Sequence, residues 1–378
     1  MFRTDAFDGP STATRQNNFT EFPEFDGGLV VANESVALRI GGFIKADFIS
    51  DLDPIDSTDT FDTTSIPIDA VDRQNVRFHA RQSRLSFDTR WRVRDQVARA
   101  FVEADFFGNG INRSDAFRLR HAYGTIGRIT VGQTWTTFTD PSAVPQTLDF
   151  EGAVSNVNRR QGLVRLRLPL WIDGASWAIA LEDPRVVIEV PSGVVGEARR
   201  ETPDLINQLR YARDWGEFQA AVVVREIGFQ PAGREVDRGT AWGVNLTSSV
   251  LLGERGRFYS QITFGDGIGS YRGKPDVVAT GPTDAEVLGS FGWMAGYKHV
   301  LGERWTSNVT FSHLELDDVA GQDPGNLAET TYNAINLINN PYDRVFWGVE
   351  YLYGERVNQD RRDADATRLQ MSLGFYLP

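Results

Sequence analysis

From Ser35 onward, apolar and polar residues alternate with a period of two. The even positions carry Val36, Leu38, Ile40, Gly42, Ile44, Ala46 and Phe48, and the odd ones Ser35, Ala37, Arg39, Gly41, Phe43, Lys45 and Asp47. Successive side chains of a strand point to opposite faces, so this stretch predicts a strand with one oily face. The pattern returns over 96–107, where Ala98, Ala100, Val102, Ala104 and Phe106 oppose Arg99, Glu103 and Asp105. It returns again at Leu369, Met371, Leu373 and Phe375, opposite Arg368, Gln370, Ser372 and Gly374. Helical periodicity is nearly absent. The run Ala220 to Val224 is as long as any uninterrupted apolar run, at five residues, whereas a spanning helix needs about twenty.

The connections alternate as well. Tight Gly-, Asp- or Pro-rich turns fall at 91–95, 124–128, 171–174, 213–217, 252–257, 301–305 and 339–344. Longer polar stretches lie between them, near 51–72, 109–114, 139–160, 185–202, 228–238, 269–285, 317–328 and 357–366. Short and long connections in strict alternation describe an up-and-down barrel whose rims face different compartments. Counting strands between these connections predicts an all-β fold, a 16-stranded antiparallel transmembrane β-barrel. Residues 35–378 form the barrel, and residues 1–34 are expected as an N-terminal periplasmic segment without an assigned role.

A soluble all-β protein also alternates, and a carbohydrate-binding protein or hydrolase is the rival of a different class. Glu103 and Asp105 share a face as a glycosidase pair might. The recurrence of Arg, Glu, Asp, Gln, Thr, Ser and Gly on the non-apolar face of strand after strand favours the barrel. An apolar outside and a charged inside suit a water-filled lumen within lipid. Trp91, Trp177, Trp215, Trp305, Tyr342, Trp347 and Tyr351 near strand ends fit interfacial girdles.

Composition narrows the chemistry. The chain of 378 residues has no cysteine and a net charge of −12, which removes thiolate sites and argues against nucleic acid as a partner. His79, His121, His299 and His313 show no metal-ligand spacing, and neither HExxH nor GxSxG occurs. No catalytic residue, metal or cofactor is expected. The stretch Asp51 to Asp72 holds seven aspartates and no Lys or Arg. It is either a divalent-ion site that could bridge lipopolysaccharide or a solvated surface loop. Its spacing matches no cation cage, which favours the solvated loop.

The arginines carry more information. On the second strand Arg77, His79 and Arg81 share one face, and the phase flips near Gln82–Ser83, so that Arg84 joins that face too. A flip within a strand predicts a bulge, a feature that re-aims side chains beside functional constrictions. Arg118 and Arg120 oppose Phe117 and Leu119 on the fourth strand, and Arg165 and Arg167 oppose Val164, Leu166 and Leu168 on the sixth. A mid-membrane Arg facing lipid costs about 2–4 kcal/mol, so the six near mid-height, Arg81, Arg84, Arg118, Arg120, Arg165 and Arg167, belong in the lumen. Some are expected to pair with Glu103 and Asp105, leaving a net positive wall. The connection 139–160 is too long for a simple rim loop and carries an apolar-acidic middle, Leu148-Asp149-Phe150-Glu151. It is expected to fold inward as the constriction, with Asp149 and Glu151 facing the arginines. Lys45 is expected to add to the attraction, with Arg77 and His79 as a funnel above.

The stretches ARQSR (80–84), VEADFFG (102–108), LRHAYG (119–124), GQTW (132–135) and TLDFEG (147–152) resemble the DcaP-like porin family, from about Ser35 to the C-terminus. That resemblance implies a homotrimeric channel of the bacterial outer membrane, in contact with lipid and lipopolysaccharide. It also implies passive diffusion of small anionic solutes, dicarboxylates in particular, and no enzymatic step. The family's usual N-terminal periplasmic coiled coil has no counterpart in residues 1–34, which show no heptads. A phosphate- or pyrophosphate-selective porin is the alternative within porins. The chain's three lysines, Lys45, Lys274 and Lys298, count against its lysine-rich funnel.

Overall fold

A computed structural model describes residues 21–22, 25–32, 36–71, 73–110, 113–191 and 193–377. The barrel opens with β1 (Val36–Asp51), β2 in two pieces (Asn75–His79 and Arg84–Val93), β3 (Gln96–Gly110) and β4 (Arg113–Ile126). It continues with β5 (Ile129–Trp135), β6 (Arg160–Pro169), β7 (Ala175–Glu182) and β8 (Asp204–Arg213). Then follow β9 (Gly216–Pro231), β10 (Asp237–Leu252), β11 (Gly256–Asp266) and β12 (Gly289–Val300). The last four are β13 (Trp305–Leu316), β14 (Leu327–Tyr342), β15 (Val345–Asn358) and β16 (Asp363–Tyr376). Each strand pairs antiparallel with the next, and β16 closes on β1 with Gly374 opposite Lys45. Closure removes the unpaired edge, which in lipid would leave backbone groups unsatisfied.

Of the segment 1–34, residues 1–20 lie outside the described residues. Glu21–Phe22 and Phe25–Ala32 form a hairpin whose second strand pairs with the start of β1, Leu29 opposite Leu38.

The alternation read from the sequence sets the two faces. Ile44, Phe48, Phe78, Phe117, Leu119, Val164, Leu246, Ile262, Phe311, Leu369 and Met371 point outward and are exposed along the barrel wall. Trp215, Tyr342 and Trp347 are exposed near strand ends, and Tyr351, expected there too, is exposed at the middle of β15. The phase flip in β2 takes the form of a hydrogen-bonded turn, Ser83 N–H to Ala80 O at 3.1 Å. His79 faces Asp47 and Arg84 faces Phe43, so four residues of β2 oppose three of β1. Gly42 permits this crowding. Its φ is +128°, and a Cβ there would stand 2.2 Å from the Arg84 carbonyl oxygen.

Three long connections fold into the lumen. Residues 52–74 do not form the solvated acidic loop that their charge suggests. Ile55, Phe61 and Ile66 are buried in a cluster with Val154, Leu288, Leu314, Tyr332 and Leu352. Residues 136–159 carry Phe138 and Val157 into a second cluster with Ile206, Val223, Ile268 and Tyr271. The third connection, 267–288, contributes Ile268 and Tyr271 to that cluster and Val278 and Leu288 to the first. The first cluster lies against β13–β16 and the second against β8–β9.

Candidate functional site

The connection between β5 and β6 is held on the wall by side chains of many strands. The Glu182 carboxylate accepts the Thr137 N–H at 2.7 Å, and Asn245 donates to Phe138 O at 2.7 Å. Asp140 accepts from Arg210 at 3.0 Å, and Gln261 donates to Ser155 O at 2.9 Å. Deeper along the loop, Glu350 accepts the N–H groups of Leu148 and Asp149 at 2.7–3.0 Å. Lys45 Nζ and Gln370 Nε2 both donate to Leu148 O, at 2.6 and 3.0 Å. The inward constriction expected from 139–160 is thus a loop of residues 136–159 with charged anchors on both walls.

Two sequence-level site residues belong to these anchors. Lys45 is buried, ion-paired to Asp47 at 2.7 Å and bonded to Gln82 and Leu148 O. It ties the loop to β1 instead of facing solute. Asp149 does not face the arginine wall. Its carboxylate accepts the N–H groups of Phe61 and Gly152, both at 2.9 Å, and stands 4.0 Å from Arg368. A carboxylate flanked by backbone N–H groups caps its own turn, and the acid-rich sequence gives no direction for that. Glu151 is half-buried and has no cation within 4 Å among the described residues. Burial, reinforced by Asp62 and Asp149, pushes its carboxyl up to about 7; Lys274 and Arg118 oppose the shift.

The arginines of β2 and β4 enter the lumen in the predicted phase, with Phe117 and Leu119 outside. Arg84, Asp105 and Arg118 are register neighbours across β2, β3 and β4. Arg118 bonds Asp105 through two nitrogens, at 2.7 and 2.9 Å. Arg120 spans Glu103 and Asp105, both at 2.7 Å, and Arg84 stands 3.8 Å from Glu103. Arg77, His79 and Arg81 gather on Asp59 of the first inward loop. Burial alone would raise the Asp59 carboxyl, but hydrogen bonds from Arg77 and Arg81 hold it below the usual range.

The β6 arginines differ. Among the described residues no carboxylate lies within 4 Å of Arg160, Arg165 or Arg167. Arg167 donates to Gln208 Oε1 at 2.9 Å, and Arg165 reaches Trp135 O and Thr137 Oγ1 at 3.5 Å. Arg160 lies with its guanidinium carbon 4.4 Å from the Trp135 ring centre, and Arg84, Arg118 and Arg120 are its strongest charged neighbours. Stacking on an indole holds a cation without using its N–H donors. Sequence reasoning missed Arg160. By strand parity it falls with Val164 on the outer face, but it sits at the loop junction where parity ceases to apply. The pairing of Trp135 with Arg160 across β5 and β6 is the signal that finds it.

An aromatic pair joins the loop tip to this wall. Phe150 stacks on Phe107 of β3 with ring centres 4.1 Å apart, and Arg81 and Arg118 lie over Phe107 at 4.9 and 5.4 Å. Arg118 also lies 5.3 Å from the Phe150 ring. Along this side of the lumen Arg77, Arg81, Arg84, Arg118 and Arg120 meet Asp59, Glu103 and Asp105, five cations against three acids, and Arg160, Arg165 and Arg167 follow with no carboxylate within 4 Å among the described residues.

Known proteins match this picture. The family model of the DcaP outer membrane protein matches residues 26–191. The crystal structure of the outer membrane channel DcaP of Acinetobacter baumannii superposes with a TM-score of 0.84 at 20% identity, over 92% of this chain and 99% of that one. The anion-selective porin from Comamonas acidovorans gives a TM-score of 0.59 at 9% identity, over 90% of this chain and 100% of that one. Salmonella typhi OmpF, in a complex with daunomycin, gives 0.61 at 10% identity, over 92% and 99%. No curated protein sequence matches the chain. Residues 26–191 thus match the DcaP outer membrane protein family, and the chain as a whole shares the closed sixteen-stranded fold of outer-membrane porins.

Proposed function

We propose that this porin is a passive channel for small anionic solutes, dicarboxylates foremost, and works as a homotrimer in contact with outer-membrane lipid and lipopolysaccharide. The observation that carries the reading is the set of guanidiniums without carboxylate partners on β6, Arg160, Arg165 and Arg167, next to the paired arginines of β2 and β4. Among the described residues no carboxylate holds their donors, Arg167 bonding Gln208 and Arg165 reaching Trp135 O and Thr137 Oγ1, whereas the donors of Arg118 and Arg120 are held by Asp105 and Glu103. Successive weak sites let an anion leave as readily as it enters. A solute with two carboxylates can hold one site while reaching the next. Glu151 and Phe150 bring the loop tip to the arginine wall, where Phe150 stacks on Phe107, and Arg77, His79 and Arg81 form the approach above it. No reaction is involved.

The test is flux into proteoliposomes at equal osmolarity. Succinate is expected to enter faster than a neutral diol of the same size, and excess phthalate is expected to slow it. Equal rates for the acid and the diol would overturn the reading.

A further inference from the structure

The inward segment after β11 carries a buried cation, Arg272, with no partner among the described residues. Gly269–Arg272 forms one 3-10 turn closed by Gly273 at φ +74°. Its other polar side chains are bonded: Tyr271 donates to Asp204 at 2.7 Å, and Ser270 accepts from Arg159 and Arg225, each at 3.1 Å. Arg225 is in turn paired with Asp204 and Asp276. Arg272 is 6% exposed, and no described residue accepts from its Nε or either terminal nitrogen. Burial, with no neighbouring charge to offset it, pushes its pKa down to about 10, so it remains a cation at neutral pH.

The backbone of β12 makes the room it occupies. A Cβ on Gly292 would stand 2.3 Å from one terminal nitrogen of Arg272 and 2.9 Å from Ser155 Cβ. Any other residue there would displace the guanidinium. Ser290, two residues along the same inward face, carries a buried hydroxyl that also has no partner among the described residues. An isolated buried cation costs several kcal/mol unless an opposite charge completes it. Orphaned polar atoms in a native interior call for an ion or a water. In a barrel of sixteen strands β12 stands eight strands from β4, so this place is across the lumen from the arginine row.

We propose that Arg272, seated in the Gly292 notch with Ser290 beside it, forms a second anion site, sized for a chloride ion or the carboxylate end of a solute. The site stands or falls independently of whether the β6 row conducts anions.

Crystals of the whole protein soaked in bromide, and separately in 4-bromobenzoate, test it by anomalous scattering. A bromide peak beside the Arg272 nitrogens, absent in Arg272→Gln, supports the site. A bromine signal placing the benzoate carboxylate there identifies a solute carboxylate as a ligand, and a peak with bromide alone identifies an inorganic ion. No peak at Arg272 with either probe, or a peak that persists in Arg272→Gln, overturns the proposal; peaks on Arg160 and Arg165 are scored separately and bear only on the conduction path. In solution, replacing gluconate by bromide at constant ionic strength should raise the temperature at which the barrel loses its folded gel mobility. That shift should vanish in Arg272→Gln and in Gly292→Ala. An equal shift in all three proteins would overturn the proposal.

Discussion

Glu350 is the anchor whose loss most sharply tests how the constriction loop is held. Its carboxylate sits inside the lumen wall on β15 and receives the N–H groups of Leu148 and Asp149, with Asn336 Nδ2 at 2.9 Å beside them. A hydrogen bond to a charged acceptor contributes about 1.5–3 kcal/mol, and an orphaned buried donor costs a similar amount. Glu350→Ala therefore removes about 3–6 kcal/mol from the attachment of residues 147–152. The base of the loop keeps its bonds from Asn245, Gln208 and Gln261. The strand ladders are untouched, so the barrel should still fold and show its heat-dependent gel mobility. The loop tip should detach: mean single-channel conductance and open-channel noise rise, and chymotrypsin gains access to Phe150. Glu350→Gln, which keeps one acceptor oxygen, should show a smaller change. A folded Glu350→Ala channel with wild-type conductance and an uncut Phe150 would refute this account of the anchoring.

Two further perturbations act on charge near the eyelet. Because the Glu151 carboxyl is raised to about 7, acidification from pH 8 to 6 protonates it and removes a negative charge close to Arg118. Anion preference should rise with a midpoint near pH 7, and Glu151→Gln should show the higher preference at both pH values; a pH step that survives in Glu151→Gln would assign it to another group. Asp59, held below the usual carboxylate range by Arg77 and Arg81, is ionised throughout that interval. Asp59→Asn should therefore strengthen anion preference by an amount that does not vary between pH 6 and 8, as reversal potentials at the two pH values will read.

The strands were legible because facing direction is written with period two. Arg77, Arg81 and Arg84 fall on the lumenal side despite opposite parity, and the flip between them is visible in the sequence as a change of phase. The loops were not legible, since a polar segment carries no record of which distant wall receives it. The aspartates of 51–72 read as a solvated surface, yet Thr63 bonds Thr330 and Arg356 donates to Thr64 O, contacts that span most of the chain. Asp149 differs for the same reason: its partners are the N–H groups of Phe61, on another loop, and of Gly152 in its own turn. Arg160 escaped notice because it stands where strand parity ends and loop geometry begins.

The central claim is that anions pass a positive wall inside a chain of net charge −12. An anion passing about 7 Å from a guanidinium is attracted by roughly 0.6 kcal/mol in a water-like dielectric, and 0.1 M salt, with its ~10 Å screening length, reduces this by about half. Three such groups amount to about 1 kcal/mol, roughly fivefold in local anion concentration. The direct measurement is the zero-current potential across a bilayer in a KCl gradient, for the wild type and for Arg160, Arg165 and Arg167 all changed to Gln. A control changes the exposed Arg234, Arg255 and Arg304 to Gln, with the same loss of net charge. The wild type and the control should be anion-selective, and the β6 variant should lose at least about fivefold of that preference. A cation-selective wild type, or a β6 variant as anion-selective as the control, would contradict the account.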